Sequence, residues 1–471
     1  MVADSRSLPP YITAKGRDLR LDLLRGYFVF AMVIDHVCGS SPLQILSGGN
    51  QFFTSAAEGF ILTSGLVAGL VYGRLIKRDG LPHSLMKMLT RALKLYLLTV
   101  GMTLVFMPLS EWLRLPWAQG LGGQTPLSII VGVLTLHRTY FMADVMLVYT
   151  LLFLAAPLAL LLIDQGKRWW VLGGSWALWA LFQLWPASAI VPWPIANNSV
   201  FVFSAWQVIF FTGLVFGYGR TAMPVLKPRT ARRLFAVAGA AMLALIALFL
   251  AVRAPAPQSA AGFDLRNLVR TLFLDKPNVR PGRLLAEGIT FSFLFLAVTA
   301  FWQPLRRALG WLLLPLGQNS LYAYAAHLSL IVLAALALAP LNHNGGAPQW
   351  VNALVQIGSV AVLWVLVRYK VLAPTPRTQR AYNLSPIALT ALAGLAFFLI
   401  QSPVQLWPGS GPSAAAPAGA PAVAAAADLR PAAPALALAP DLTRAPDLAA
   451  APDLLSGVPI PAEPSQPGAS G

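Results

Sequence analysis

Charge is what this sequence lacks most. Only 11% of its residues are Asp, Glu, Lys or Arg, against roughly 25% in a soluble domain. Apolar types make up 57%, and mean hydropathy is +0.66. A chain this poor in charge could not cover a water-facing surface. That excludes an ordinary soluble protein, a coiled coil and a disordered chain, and leaves a polytopic membrane protein. Cysteine is nearly absent: Cys38 stands alone. This excludes an internal disulfide framework and a CxxC metal site, and leaves Cys38 as a small packing residue. Five histidines are spread over 471 residues without metal-ligand spacing, so no metal is expected. The soluble-enzyme signatures GxSxG, HExxH, the P-loop and the dinucleotide fingerprint are also missing. Acidic residues number 17 against 34 basic ones, a net charge of +17. In a soluble chain that excess would suggest nucleic acid. In a membrane protein it reports cytoplasmic loops, so no nucleic-acid partner is expected.

What the sequence has is apolar runs near the 20 residues that a helix needs to cross a bilayer. They lie at about 23–39, 52–73, 86–108, 142–163, 169–186, 200–218, 234–252, 284–302, 311–339, 351–367 and 386–407. The stretch 124–137 is too short for a further span. The fold class is therefore all-α: a polytopic bundle of ten core membrane helices with an eleventh at 386–407. Residues 1–22 form a polar arm without a cleavage site, so the first span is expected to stay as a signal anchor. Lys and Arg fill every second loop: 6–20, 74–78, 167–168, 220–233, 306–307 and 368–380. That pattern puts the amino terminus in the cytoplasm. One loop departs from it. Residues 253–283 should lie outside, yet hold Arg266, Arg270, Lys276, Arg280 and Arg283, which suggests a site. Residues 408–471 are Ala/Pro-rich, with 13 prolines and three Pro-Asp-Leu triplets, and are expected to be a disordered tail. Gly65, Gly69 and Gly73, and again Gly213 and Gly217, repeat at four-residue spacing, a device for close helix packing.

Ionisable residues inside spans are costly and are functional candidates. Arg25 and His36 are eleven residues apart, about three helical turns and about 16 Å, and so share a face. A fixed guanidinium can hold phosphate bidentately, and an imidazole can take a proton near neutral pH. This arrangement suits a long donor whose reactive end lies deeper in the membrane. The plainer alternative has Arg25 snorkelling to headgroups and His36 bonded to a neighbouring helix. Glu58 lies at a similar depth and could orient the imidazole, contact a hydroxyl, or simply start its helix. Asp22 stands three before Arg25, a pairing distance. Asp35 points about 100° away from His36 and is expected to serve a neighbour. His327 is expected to make a structural hydrogen bond.

The stretch "RDLRLDLLRGYFVFAMVIDHV" at 17–37 resembles the opening of OpgC-domain proteins, within the wider membrane acyltransferase family 3. Their hallmark arginine, ten residues, then histidine is matched by Arg25 and His36. "SAAEGFILTSGLVAGLVYGR" at 55–74 is similar to the second-span motif, with Glu58, Ser64 and Gly65. "FMADVMLVYTLLFLAAPLALLL" at 141–162 matches at Asp144, Tyr149 and Pro157. "FSAWQVIFFTGLVFG" at 203–217 supplies Trp206 and Gln207, and "LDKPNVRPGRLL" at 274–285 supplies Asp275, Lys276 and Arg283. "LGQNSLYAYAAH" at 316–327 is similar to a late-span motif. Many relatives carry a histidine where this chain has Ala286 followed by Glu287, and the long tail is not a family feature.

The resemblance implies O-acyl transfer, typically succinylation, from cytoplasmic acyl-CoA (succinyl-CoA or acetyl-CoA) to a hydroxyl of a periplasmic glucan or other envelope polysaccharide at the inner membrane. His36 and Glu58 would be catalytic, with His36 a general base or a transient acyl carrier. Arg25 and Arg91 would bind the donor. Asp144, Trp206, Gln207, Lys276 and Arg283 would bind substrate, with Lys276 and Arg283 facing an anionic acyl carboxylate or glucan. Two other classes compete: a glycan transporter or flippase, which would often show two similar halves, and a non-catalytic scaffold presenting the tail.

Overall fold

The computed structural model describes residues 9–371, apart from 15, 38, 119–120, 122–124, 142, 221, 254–264 and 343–346. The described residues all belong to one unit of the chain, Met1–Pro408. The expected span at 386–407, the tail at 408–471 and Cys38 lie outside the described residues.

Among the described residues there are fourteen helices and no strand beyond two isolated bridges. In chain order they are α1 (Leu19–His36), α2 (Gln44–Ser47), α3 (Ala56–Asp79), α4 (Leu81–Trp112), α5 (Pro126–Leu134), α6 (Asp144–Asp164) and α7 (Arg168–Leu184). They continue with α8 (Phe203–Gly217), α9 (Pro228–Arg253), α10 (Leu265–Leu274), α11 (Pro281–Ala300), α12 (Trp302–Gln318), α13 (Ser320–Asn342) and α14 (Gln349–Arg368). Seven of them, α3, α4, α6, α9, α11, α13 and α14, are long and apolar enough to cross a membrane. Large apolar side chains point outward along them, including Leu158, Leu243, Leu333 and Leu354. Such a surface fits hydrocarbon and not water. The chain is an all-α, multi-pass membrane bundle.

α1 falls outside the apolar set because it carries Arg20, Asp22, Arg25 and Asp35. None of its residues is exposed nonetheless, and it packs against α2, α3, α11, α12, α13 and α14. Asp18 caps its start by accepting from the Arg20 N–H at 3.1 Å, and pairs with the Arg20 guanidinium at 2.7 Å. That guanidinium also donates to Thr299 and to the carbonyls of Met223 and Pro224. Three segments are thus tied at one end of the bundle, called here the Arg20 end. Asp22 does not pair with Arg25, as its spacing suggested. Arg17 takes both its oxygens, at 2.6 and 2.8 Å, because the arm folds back onto the first turn.

The expected span 311–339 is corrected. A break at Asn319 separates α12 from α13. α12 is amphipathic, burying Trp302, Gly310, Leu313, Leu316 and Gly317 and exposing Arg306 and Arg307. Both its ends are tied to the start of α1. Trp302 packs edge-on against Tyr11 at 6.0 Å, and Tyr11 lies under Arg20. At the other end Gly317 lies against the Asp22 carbonyl, and Gly26 lies against the Leu313 carbonyl. α12 therefore crosses the Arg20 end, and the span proper begins at Ser320.

The glycine spacing is packing, as expected. Cβ atoms on Gly65 and Gly69 would run into the Phe210 and Leu214 carbonyls. Cβ atoms on Gly213 and Gly217 would run into the backbone of Leu62 and Leu66. α3 and α8 touch backbone to backbone, which draws α8 in beside the helix that carries Glu58 and Ser64.

Candidate functional site

α1 carries two groups of polar side chains, one around Arg25 and one around His36. The first lines a pocket between α1, α3, α4, α6 and α13. Arg25 and Arg91 supply its charge, and Ser64, Tyr72, Tyr149 and Ser320 its hydroxyls. The remaining wall is apolar, including Phe60 and Phe153. The pocket holds about 720 Å³ of empty space, counting the part open to the exterior. It follows α3 from Phe60 to Tyr72, about 18 Å at 1.5 Å per residue. Arg25 donates from Nη2 to Ser320 Oγ at 2.6 Å, while its Nε is buried without a hydrogen-bond partner. Its guanidinium stands 5.5 Å from the Phe60 ring centroid, and that of Arg91 stands 5.2 Å from Phe153. Among the described residues neither Arg25 nor Arg91 is paired with a carboxylate. Tyr149 donates to Ser64 at 3.1 Å, fixing the wall between α6 and α3.

His36 ends α1 three turns away. Its Nδ1 lies 3.3 Å from Nε2 of His327, and the two rings are stacked with centroids 5.6 Å apart. His327 is buried, and its Nδ1 bonds to the Tyr324 carbonyl one turn earlier on α13. His36 keeps part of its surface accessible. Beyond it, Gln356 on α14 donates to the Val37 carbonyl at 2.9 Å and accepts from Ser41 at 2.5 Å, which fixes the end of α1. Asp35 serves a neighbour, as expected: it accepts from Ser47 at the end of α2.

Glu58 does not reach His36 by any direct bond. Its Oε2 accepts from the Ser55 N–H at 3.0 Å and from the Ser55 hydroxyl at 2.5 Å, closing the first turn of α3. Its Oε1 accepts from Nε and Nη2 of Arg283 on α11. Both side chains are buried. Burial is tolerable here because each charge is met by the other and by hydrogen bonds. Glu58 and Arg283 therefore form one ion pair joining α3 to α11. Next to them Thr54 donates to Glu287 at 2.5 Å, leaving Glu287 Oε1 buried and unpartnered.

Lys276 sits at the same end, on the loop between α10 and α11. Asp275 accepts from Asn278 and Arg280, Trp179 Nε1 donates to the Val279 carbonyl at 2.9 Å, and Gln183 donates to the Asn278 carbonyl at 2.7 Å. The loop is thus bolted to α7. The charges that broke the loop pattern divide accordingly. Arg280 pairs with Asp275 and Arg283 with Glu58, while among the described residues Lys276 meets the neutral Asn50 at 3.2 Å and the Phe201 ring at 5.9 Å. Burial pulls the Lys276 ammonium below the ordinary lysine range, against the opposing pull of Glu58; Arg283 lowers it further, and Asp35 and Asp144 raise it. Asp144, buried at the start of α6, accepts from the N–H of the next residue, Val145, at 2.8 Å.

Trp206 and Gln207 are not brought to either group. Trp206 is fully buried and donates to the Val200 carbonyl at 2.7 Å. Gln207 exchanges hydrogen bonds with Ser175 at 2.6 and 2.8 Å, clamping α8 to α7. Ser320, Asn50 and Tyr324 are contributors that the sequence reading did not single out. Ser320 and Tyr324 lie within the late-span motif at 316–327. Asn50 had no local signal. Among the described residues no cluster of three His, Cys, Asp or Glu could hold a metal.

A protein-family model described as "OpgC protein" matches residues 17–374, more than half of the chain. No curated protein and no solved structure matches it.

Proposed function

The chain belongs to the OpgC protein family, and from that premise we propose that it is a membrane-bound O-acyltransferase of the bacterial inner membrane. It moves an acyl group, succinyl in preference to acetyl, from cytoplasmic acyl-CoA to a hydroxyl of a periplasmic glucan or related envelope polysaccharide. One observation carries this reading. A single enclosed helix holds Arg25 in a pocket shared with Arg91 and, about 16 Å further along, an accessible His36. The orientation, amino terminus in the cytoplasm, is supported by the basic residues at the Arg20 end, among them Arg17, Arg74, Arg306 and Arg307.

Arg25 and Arg91 bind the donor's phosphates, with the guanidinium fork matching phosphate oxygens. The thioester arm follows α3 toward Phe60. At His36 the acceptor hydroxyl attacks the thioester carbonyl carbon while its proton passes to His36 Nε2. The new C–O bond forms, the C–S bond breaks, and the thiolate recovers that proton, which returns the imidazole to its neutral form. Lys276 supplies a cation for the free carboxylate of a dicarboxylic acyl group, in a partly desolvated place where such attraction is stronger than in water. Asp144 is the acceptor-binding carboxylate of this reading. Glu58 and Arg283 build the wall that carries these groups and do not touch substrate.

The test is mass spectrometry of periplasmic glucan from cells making the wild-type chain or His36→Ala. The wild type is expected to esterify the glucan, and His36→Ala to lose on the order of 100-fold or more of that rate. Ester formation that survives His36→Ala sinks the mechanism. Glucan that is exported but carries no ester favours a transporter.

A further inference from the structure

The two stacked histidines carry more information than their distance. The Nδ1 of His327 lies on the Tyr324 carbonyl oxygen. A carbonyl oxygen only accepts, so His327 Nδ1 must bear a hydrogen. A neutral imidazole carries one N–H, so Nε2 of His327 presents a lone pair. The atom facing that lone pair at 3.3 Å is Nδ1 of His36. The bond is therefore His36 Nδ1–H donating to His327 Nε2, and the one remaining nitrogen of His36, Nε2, has no hydrogen. Among the described residues Nε2 of His36 has no hydrogen-bond partner, and the ring keeps accessible surface.

We infer that His327 is a positioning residue that sets the tautomer of His36, using the backbone carbonyl of Tyr324 as the fixed reference. The backbone enters because a peptide carbonyl cannot change protonation state, so the chain from Tyr324 O to His36 Nε2 has one polarity. Its effect is to keep the base lone pair on the outward nitrogen. When Nε2 takes the acceptor's proton, the positive charge that forms on His36 is shared across the Nδ1–H···Nε2 bond to His327. A carboxylate behind a catalytic histidine does the same in other enzymes, with a full charge. Here the partner is neutral, so orientation is the larger part of the effect. Both rings are held from behind: α1 by Gln356 on Val37, and His327 by an edge-on contact with the Tyr324 ring at 4.7 Å.

This inference rests on the acyltransferase reading for its consequence, but its first test does not. The full-length protein in lipid nanodiscs, labelled with ¹⁵N at its five histidines, reports which nitrogen of each ring bears hydrogen. His36→Gln and His327→Gln assign the two signals. The expected result is His36 protonated at Nδ1 and bare at Nε2. A wild-type His36 that carries its hydrogen on Nε2 overturns the inference. In His327→Phe, which keeps an aromatic ring without an acceptor, His36 is expected to shift toward Nε2–H. Its kcat for acyl transfer is expected to fall on the order of 100-fold, with KM for acyl-CoA unchanged. In His327→Gln the amide oxygen can accept the same Nδ1–H, and kcat is expected to recover to within about tenfold of wild type. Equal losses in the Phe and Gln variants, with the His36 tautomer unmoved, would reduce His327 to a packing residue. A wild-type protein that has the expected tautomer and transfers no acyl group counts against the acyltransferase reading and leaves the tautomer assignment standing.

Discussion

At the scale of single residues, the costliest feature is the pair of charges buried between α3 and α11. Glu58 and Arg283 are almost fully enclosed. Removing either partner strands the other charge without water, which costs about 3–5 kcal/mol. Glu58→Ala and Arg283→Ala are each expected to unfold at clearly lower temperature in detergent. The joint replacement Glu58→Gln with Arg283→Met is expected to be milder than either, because no lone charge remains. Equal stability of the three variants and wild type would remove the pair from the framework. Much at this scale was legible in the sequence. Arg25 and His36 follow from helix periodicity, and Asp35 was assigned to a neighbour from its angle. The partner of Glu58 was not legible, because 225 residues separate it from Arg283 and only tertiary packing brings them together. The same holds for Asp22, which Arg17 takes from Arg25 once the arm folds back. Trp206 and Gln207 enter as site residues only through the family resemblance at 203–217. Their hydrogen bonds are spent on α7 and on the segment leading into α8.

At the scale of elements, two crossings position the site: α3 on α8, and α1 on α12. The first was legible as glycines four apart. The second was not, because Gly26 and Gly317 are single glycines with no repeat, and because α12 was merged with α13 into one long apolar run. Physically, Trp311, Leu312, Leu313 and Leu314 raise local hydropathy whether the helix crosses the membrane or lies across one end. What separates the cases is one-sided burial, visible only in three dimensions. Gly317 is the more telling glycine, since Ser320, the hydrogen-bond partner of Arg25, follows it by three residues. Gly317→Leu would push α12 off the Asp22 carbonyl and carry Ser320 with it. Overpacking of this kind costs about 1–3 kcal/mol. The expected outcome is a lower unfolding temperature together with a higher KM for acyl-CoA. A change in stability alone, with KM unmoved, would dissociate the crossing from the donor pocket.

At the scale of the whole molecule, composition and run length together made the fold class legible: a bundle with alternate basic loops. Arg17, Arg74, Arg306 and Arg307 gather at the Arg20 end, while Lys276, Asn50 and His36 gather at the other. This division predicts sidedness. With Cys38 replaced by serine, a cysteine at Arg307 is expected to react with an impermeant maleimide only after the cytoplasmic face is opened. A cysteine at the exposed Gln51 is expected to react from the periplasm. The reverse pattern would invert the donor and acceptor sides. The position of α1 has a further consequence, for the order in which the protein is made. α1 precedes every other described helix in the chain, yet four of the six helices it packs against, α11 to α14, are the last described ones to follow. Until they arrive, Arg25 lacks Ser320 and Arg20 lacks Thr299, and a charge near mid-membrane disfavours insertion by about 2.5–3.5 kcal/mol. The chain therefore carries its chemistry on a helix that stays loosely held through most of synthesis. A nascent chain halted after α9 should be a ready substrate for membrane quality-control proteases, and one that passes α14 should not.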